Sequence, residues 1–443
     1  MRVLVPLPID LSVMANGRTL RIVNLLRELN HICELRCLVP NDHRRGAARK
    51  ALPDVCIESS GTGERSTNVL KRWPAGIGPV GRWAQRAFNY MGIDEHTLKQ
   101  TCHHANEVDA VLGFDLDSLV YLLGVMRTRH SKSPRVVYDA IDDPLVICKS
   151  MPMTRRLSIQ GIKQRMVVHL LRRQLRHVCD ALTAVSLQDA DSLSNVSGMD
   201  VQVVPNGVWL TDEDVVDVSR EPMVVFTGAM QFPPNASAAG WLIKRVWPRV
   251  LRLMRERADS DTCMPPTQLA IVGTSPSPEL CRLGQKHGVL VTGRVDDLSA
   301  WLRRARVAVA PMISGSGIKN KVLEASANGC PVVSTSLGVT GLPVGEQNGL
   351  LVADDPEQFA EKVVLLLENP SSARVLGMAG HAMVSRQYAW PRIARQLIGI
   401  MRDRNPARSQ GSDHDDDASR FWDNEHNHAE PSNCKEALTH ATS

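Results

Sequence analysis

The sequence predicts an α/β protein made of two doubly wound, Rossmann-like parallel sheets that face a central cleft. Three observations carry this reading. Apolar strands and amphipathic helices alternate from the first residues onward. A second alternation begins after a polar, acidic stretch at 211–222. Within that second half, a run of small residues leads from a strand straight into a helix. With 443 residues, the chain has room for two or three domains of about 150 residues each.

Residues 2–7 read as the first strand. Residues 19–29 place Leu20, Val23, Leu26 and Leu29 at helical spacing, and Leu35–Val39 reads as the next strand. Further strands are predicted at Ala110–Leu112, Val136–Tyr138, Ala181–Val185 and Val201–Val204, with a long basic amphipathic helix over 155–178. Residues 1–210 thus form a first domain and 211–222 a linker. The second domain, 223–387, runs through a strand at Val224–Thr227, a helix at 236–254, a strand at Leu269–Val272 and a helix at 278–287. It continues with a strand at 289–292, a helix at 297–305, strands at Val307–Ala310 and Val332–Ser334, and helices at 355–368 and 371–385. Residues 404–443 are polar and charged without apolar periodicity, which predicts disorder.

The formal net charge of +5 is too small to argue for nucleic-acid binding. The charge is unevenly spread, however. Residues 65–93 and 144–179 contain no Asp or Glu, and both mix Arg and Lys with apolar side chains. Such segments suit an anionic membrane surface. Ten cysteines without a paired cadence read as free thiols. Cys102-His103-His104 are adjacent on a helix end and read as ordinary side chains, so no metal site is expected. The start of the chain is a short strand rather than a secretion signal, and no apolar run approaches the ~18 residues of a membrane span. The expected location is cytoplasmic, or peripheral at the inner face of the cell membrane.

The chemistry concentrates at 311–341. Gly315, Ser316 and Gly317 form a loop in which a ligand can approach the backbone closely, and the helix that follows offers free N–H groups to a phosphate. Lys319 and Lys321 add positive charge at the same end. At about 100° per residue, Asn320, Lys321, Glu324 and Asn328 share one helix face, and Ile318, Val322 and Ala325 another. Cations beside the loop and a carboxylate one to two turns deeper suit a nucleoside diphosphate, with lysine for the pyrophosphate and Glu324 for the ribose hydroxyls. The plainer reading of the same segment is a buried βαβ crossover.

This segment resembles the donor site of GT-B glycosyltransferases of family 4, also called group 1. The chain is most similar to the sugar transferases associated with exosortase and exopolysaccharide systems. Other landmarks match in order: Val137-Tyr-Asp-Ala-Ile-Asp-Asp143, Ala181-Leu-Thr-Ala-Val-Ser186, Val203-Val-Pro-Asn-Gly-Val208, Phe226-Thr-Gly-Ala-Met-Gln-Phe-Pro-Pro-Asn235, Thr292-Gly-Arg-Val-Asp296 and Tyr388-Ala-Trp390. The resemblance covers residues 1 to about 400.

The resemblance implies a retaining, metal-independent hexosyltransferase with no resident cofactor. Its donor would be a UDP- or GDP-sugar held by the second domain, and its acceptor a glycan or a polyprenol-linked saccharide on the first. Donor contacts would come from Gly17, Arg18, Arg294, Val295, Gly315, Ser316, Gly317, Ile318, Lys319, Lys321 and Glu324. Asp139 and Asp142 become the catalytic, acceptor-side candidates, and residues 388–403 the helix that crosses back to the first domain. Two departures stand out. Ser316 occupies the first position of the family's Glu-x7-Glu, and the loop after Thr227 lacks the family's cations. They leave two alternatives in view: a non-catalytic nucleotide-sugar-binding protein, or another GT-B enzyme such as an epimerase. Asp115-Leu-Asp117 resembles the metal-binding Asp-x-Asp of the other glycosyltransferase fold but lies in the wrong half, and reads as structural.

Overall fold

The computed structural model describes residues 1–11, 17–59, 95–127, 133–141, 169, 172–210, 219–257, 267–315 and 317–403. Arg2–Pro6 (β1) is buried on both faces, as a strand flanked by helices must be. Gly17–Ile32 (α1) turns Ile22, Val23, Leu25, Leu26 and Leu29 onto the sheet. Glu34–Val39 (β2), Asp42–Ala51 (α2), Cys56–Ser59 (β3), Glu95–His104 (α3), Ala110–Phe114 (β4), Asp115–Arg127 (α4), Arg135–Ala140 (β5), Ala181–Ala184 (β6), Leu187–Ser197 (α5) and Val201–Val203 (β7) follow. The seven strands pair in parallel in the order β3-β2-β1-β4-β5-β6-β7.

The second sheet is a six-stranded echo of the first. Glu221–Thr227 (β8), Gln268–Val272 (β9), Leu290–Gly293 (β10), Ala305–Ala310 (β11), Val332–Ser334 (β12) and Leu350–Val352 (β13) pair in parallel in the order β10-β9-β8-β11-β12-β13. Its helices are Pro233–Trp241 (α6), Trp247–Arg257 (α7), Pro278–Lys286 (α8), Leu298–Arg304 (α9), Asn320–Ala327 (α10), Pro356–Glu368 (α11) and Pro370–Gln387 (α12). The single helix expected over 236–254 is interrupted by a π-helical turn at Leu242–Val246. Pro248 has no N–H to donate, and its ring crowds the carbonyl four residues back, so a wider turn there relieves both problems.

Both sheets lie within one compact unit, Met1–Met401. The last helix, Trp390–Arg402 (α13), does not join the second sheet. Its Trp390, Ile393, Leu397, Ile398 and Met401 are buried in the same apolar cluster as Val3, Val5, Leu25 and Leu29 of the first. The chain thus passes between the sheets twice, and the two passages pair: Val208 N–H donates to Tyr388 O at 2.7 Å and Trp390 N–H to Val208 O at 3.3 Å.

The basic segment 65–93 and residues 144–168 lie outside the described residues, as do most of the linker and the tail from 404. Of the basic helix expected over 155–178, the described end is amphipathic, with Arg173, Arg176 and His177 exposed on one side. Arg172, Leu175 and Val178 are buried, and the two apolar ones pack with Val136, Tyr138 and Leu182. Among the described residues, no helix is long and apolar enough to cross a membrane.

Candidate functional site

In each sheet the strand order reverses beside the first strand, between β1 and β4 and between β8 and β11. Loops leaving the carboxyl ends of such strands diverge and open a crevice for ligands. The loop after β11 reaches α10 through Gly317, whose φ of 69° is in the left-handed region that glycine adopts at least cost. Lys319 stands at the N-cap of α10, and no side chain caps the first turn. The orphan N–H groups and the helix dipole there favour an anion.

Lys321 reaches the loop after β8. Its Nζ donates to Asn235 Oδ1 at 2.6 Å and lies 4.6 Å from the centre of the Phe226 ring. Lys319 is buried and donates to Gly317 O at 2.6 Å, arching over the glycine loop. Glu324 sits one turn deeper. Burial raises its carboxyl above the ordinary range while Lys321 pulls it back down. No described residue donates a hydrogen bond to that carboxylate, which leaves its oxygens with unused acceptor capacity.

The first sheet contributes the start of α1. A Cβ on Gly17 would lie 3.8 Å from Asn320 Nδ2, so the N-termini of α1 and α10 face each other across the two sheets. Two helix dipoles and two ammonium groups therefore converge on one place. The arrangement can hold a pyrophosphate with a diol beside it.

Residues 221–369 match the family described as Glycosyl transferases group 1. Among solved structures, HepE of Anabaena in complex with UDP superposes with a TM-score of 0.60 at 12% identity, covering 90% of this chain and 99% of that one. The fold is GT-B. Among curated relatives, an uncharacterized 44.6 kDa protein in the cps region of Klebsiella pneumoniae is 25% identical over 173 residues, 37% of this chain and 42% of that protein. A phosphatidyl-myo-inositol mannosyltransferase of Propionibacterium freudenreichii is 25% identical over 243 residues, 52% of this chain and 59% of that protein. The chain thus spans about half the length of the curated relatives it matches.

Within the GT-B frame, the structure brings Gly17, Gly315, Gly317, Lys319, Lys321 and Glu324 around the start of α10, with Ile318 buried beneath. Ser316 and Asp142 lie outside the described residues. Arg294 is exposed at the end of the edge strand β10, and Val295 packs partly on the core.

Two expectations need correction. Arg18 is not aimed at a diphosphate: its Nε lies 2.6 Å from Asp115 Oδ2, and its Nη2 also pairs with Asp117. Burial lowers the Arg18 pKa, but the two carboxylates outweigh it and hold the guanidinium above its usual value. The Asp115-Leu-Asp117 run is the dock for this arginine. Asp139 is not at the cleft surface. It is fully buried, forked by Arg21 Nε and Nη2 at 2.9 Å each, with Thr183 Oγ1 donating at 2.6 Å. A carboxylate with both oxygens so engaged can neither touch an acceptor nor accept its proton, so Asp139 is structural.

Sequence reading missed Asn235, Phe226 and Arg21 as partners of the site. The Phe226–Asn235 landmark contains the first two but gives no sign that Lys321 bridges them. His103, His104 and Glu107 bring donor atoms within 4.8 Å of one another at the end of α3. Arg36 Nη1 sits among them, 3.0 Å from His104 Nδ1 and 3.7 Å from Glu107, so a guanidinium is already the cation of that cluster.

Burial lowers both Lys319 and Lys321 to about 8; Asp189 opposes the shift at Lys319, and Glu324 opposes while Lys319 reinforces it at Lys321. Phosphate needs the ammonium form. Affinity for UDP or GDP should therefore hold below pH ~8 and fall above it by about tenfold per pH unit for each lysine that takes up a proton on binding. Stability has the opposite sign. A lysine depressed in the fold leaves the unfolded chain holding more protons above pH ~8, so the fold gains stability as pH rises from there toward the ordinary lysine range. Calorimetric titration at pH 7, 8 and 9 checks the affinity; a constant value would show that neither ammonium meets the ligand.

Proposed function

We propose that this chain is a retaining, metal-independent glycosyltransferase that moves a hexosyl group from a UDP- or GDP-sugar to a glycan or polyprenol-linked acceptor in exopolysaccharide biosynthesis. The observation that carries the reading is the uncapped start of α10, with Lys319 and Lys321 beside it, Glu324 one turn on, and the start of α1 opposite. Lys321 supplies the cation missing from the loop after β8, because its Nζ lies within 3.3 Å of the Cβ that Gly228 lacks. The diphosphate leaves toward the two helix N-termini, where its growing charge is stabilised without a strong protein base. Asp142 and Arg294 are the acceptor-side and base-side candidates of this reading. The polysaccharide context has its support in the cps-region relative, and a lipid-linked acceptor in the mannosyltransferase relative. A cytoplasmic enzyme that meets the inner face of the membrane when its acceptor is lipid-linked completes this reading.

Incubating the protein with UDP- and GDP-hexoses and following nucleotide release and product mass tests the reading. Glu324→Gln keeps an acceptor but loses the charge, and should weaken donor binding about threefold to tenfold. A sugar-independent nucleotide affinity without release would favour the binding-protein alternative that Ser316 raises. Unchanged donor affinity in Glu324→Gln would remove Glu324 from the site.

A further inference from the structure

We propose that Asn206 is a positioning residue that ties the first turn of α10 to the core of the first sheet, so that the diphosphate cradle is set from the opposite half of the molecule. The inference rests on the nucleotide reading given above. Its starting point is Arg21, fully buried and bound to Asp139. The same guanidinium donates to Val204 O at 2.8 Å, Pro205 O at 2.8 Å and Asn206 Oδ1 at 3.1 Å. A guanidinium has donors only, which settles the orientation of the Asn206 amide: its oxygen turns to Arg21 and its nitrogen turns away. That nitrogen donates to Asn320 Oδ1 at 3.1 Å. Asn320 is the first residue of α10 and separates the two lysines.

The backbone of this segment is held as firmly on its other side. A Cβ on Gly207 would lie 2.4 Å from a ring carbon of Trp390, so only glycine lets the chain lie flat against that indole. Val208 is then bonded on both sides to the returning passage, through Tyr388 O and Trp390 N. Asn206 therefore projects from a segment clamped between Arg21 and Trp390. Asp139, which never meets the cleft, acts on it at third hand through Arg21 and Asn206.

The test uses the full chain and the variants Asn206→Ala, Asn320→Ala and the double substitution. UDP and GDP affinity is measured by calorimetry, and amide hydrogen exchange at residues 318–322 is followed without ligand. Each single variant should weaken nucleotide binding about threefold to tenfold, the range of one neutral hydrogen bond. The double variant should be no weaker than either single one, because the two act through one contact. Exchange at the start of α10 should speed up in Asn206→Ala. Additive effects, or a lowered melting temperature with affinity unchanged, would overturn the proposal, as would unchanged exchange. If the unaltered protein binds neither UDP nor GDP, the nucleotide reading fails by itself, and the exchange result alone decides whether the tie exists.

Discussion

On the proposed nucleotide reading, Lys321→Ala should weaken UDP or GDP binding by tenfold or more, without a matching loss of stability. The Lys321 ammonium is half-buried, seated on Phe226 and held by Asn235. A hydrogen bond from a charged donor contributes about 1.5–3 kcal/mol, which sets the expected loss of affinity. Stability follows a different course, because the fold bears the cost of desolvating that ammonium and the substitution removes it. Asn235 keeps its other anchor, donating to Ala229 O at 3.0 Å. Lys319→Ala should act in the same direction, since Lys319 flanks the same uncapped turn. Calorimetry with both variants checks this; nucleotide affinity unchanged in both would eliminate the diphosphate site.

Arg21→Met destabilises the fold by about 3–5 kcal/mol, the cost of leaving a buried carboxylate without its partner. Asp139 has no exposed surface and meets Arg21 through both oxygens. The substitution also strips the carbonyls of Val204 and Pro205 of a donor. Denaturant unfolding should show the midpoint falling with the slope unchanged. Pairing Arg21→Met with Asp139→Leu should recover much of the loss, because an apolar pair of similar volume avoids the buried charge. A loss below about 1 kcal/mol would mean that Asp139 is reached by water, against its burial here.

The parts of this molecule legible in the sequence are those written locally. Strand–helix alternation gave both sheets, since each strand buries two faces and each helix one stripe. The candidate cradle could be proposed from sequence because Gly315, Gly317, Lys319, Lys321 and Glu324 fall within one loop and one short helix. Short polar elements such as α2, and the three-residue β13, carry too little periodicity to be read. Asp139 was misplaced for a different reason. Its partner Arg21 lies 118 residues earlier, and nothing near Asp139 shows that a guanidinium will close over it. Asn206 and Asn320 are 114 residues apart, so the Pro-Asn-Gly motif stood out as a landmark while its contact stayed hidden. Arg18 looked like a phosphate ligand until Asp115 and Asp117 folded onto it.

The return of α13 to the first sheet has a consequence for how the chain is made. The apolar face that receives Trp390, Ile393 and Leu397 belongs to the half synthesised first, but its cover is made only after the whole of the second sheet. The first half must wait for the second with that face open. In that interval it is a target for chaperones and for self-association. Cutting the chain between the sheets therefore does not yield two modules: a fragment ending near residue 210 carries a core that lacks its lid, and exchanging the second half for that of another protein of this fold would have to bring a compatible last helix with it.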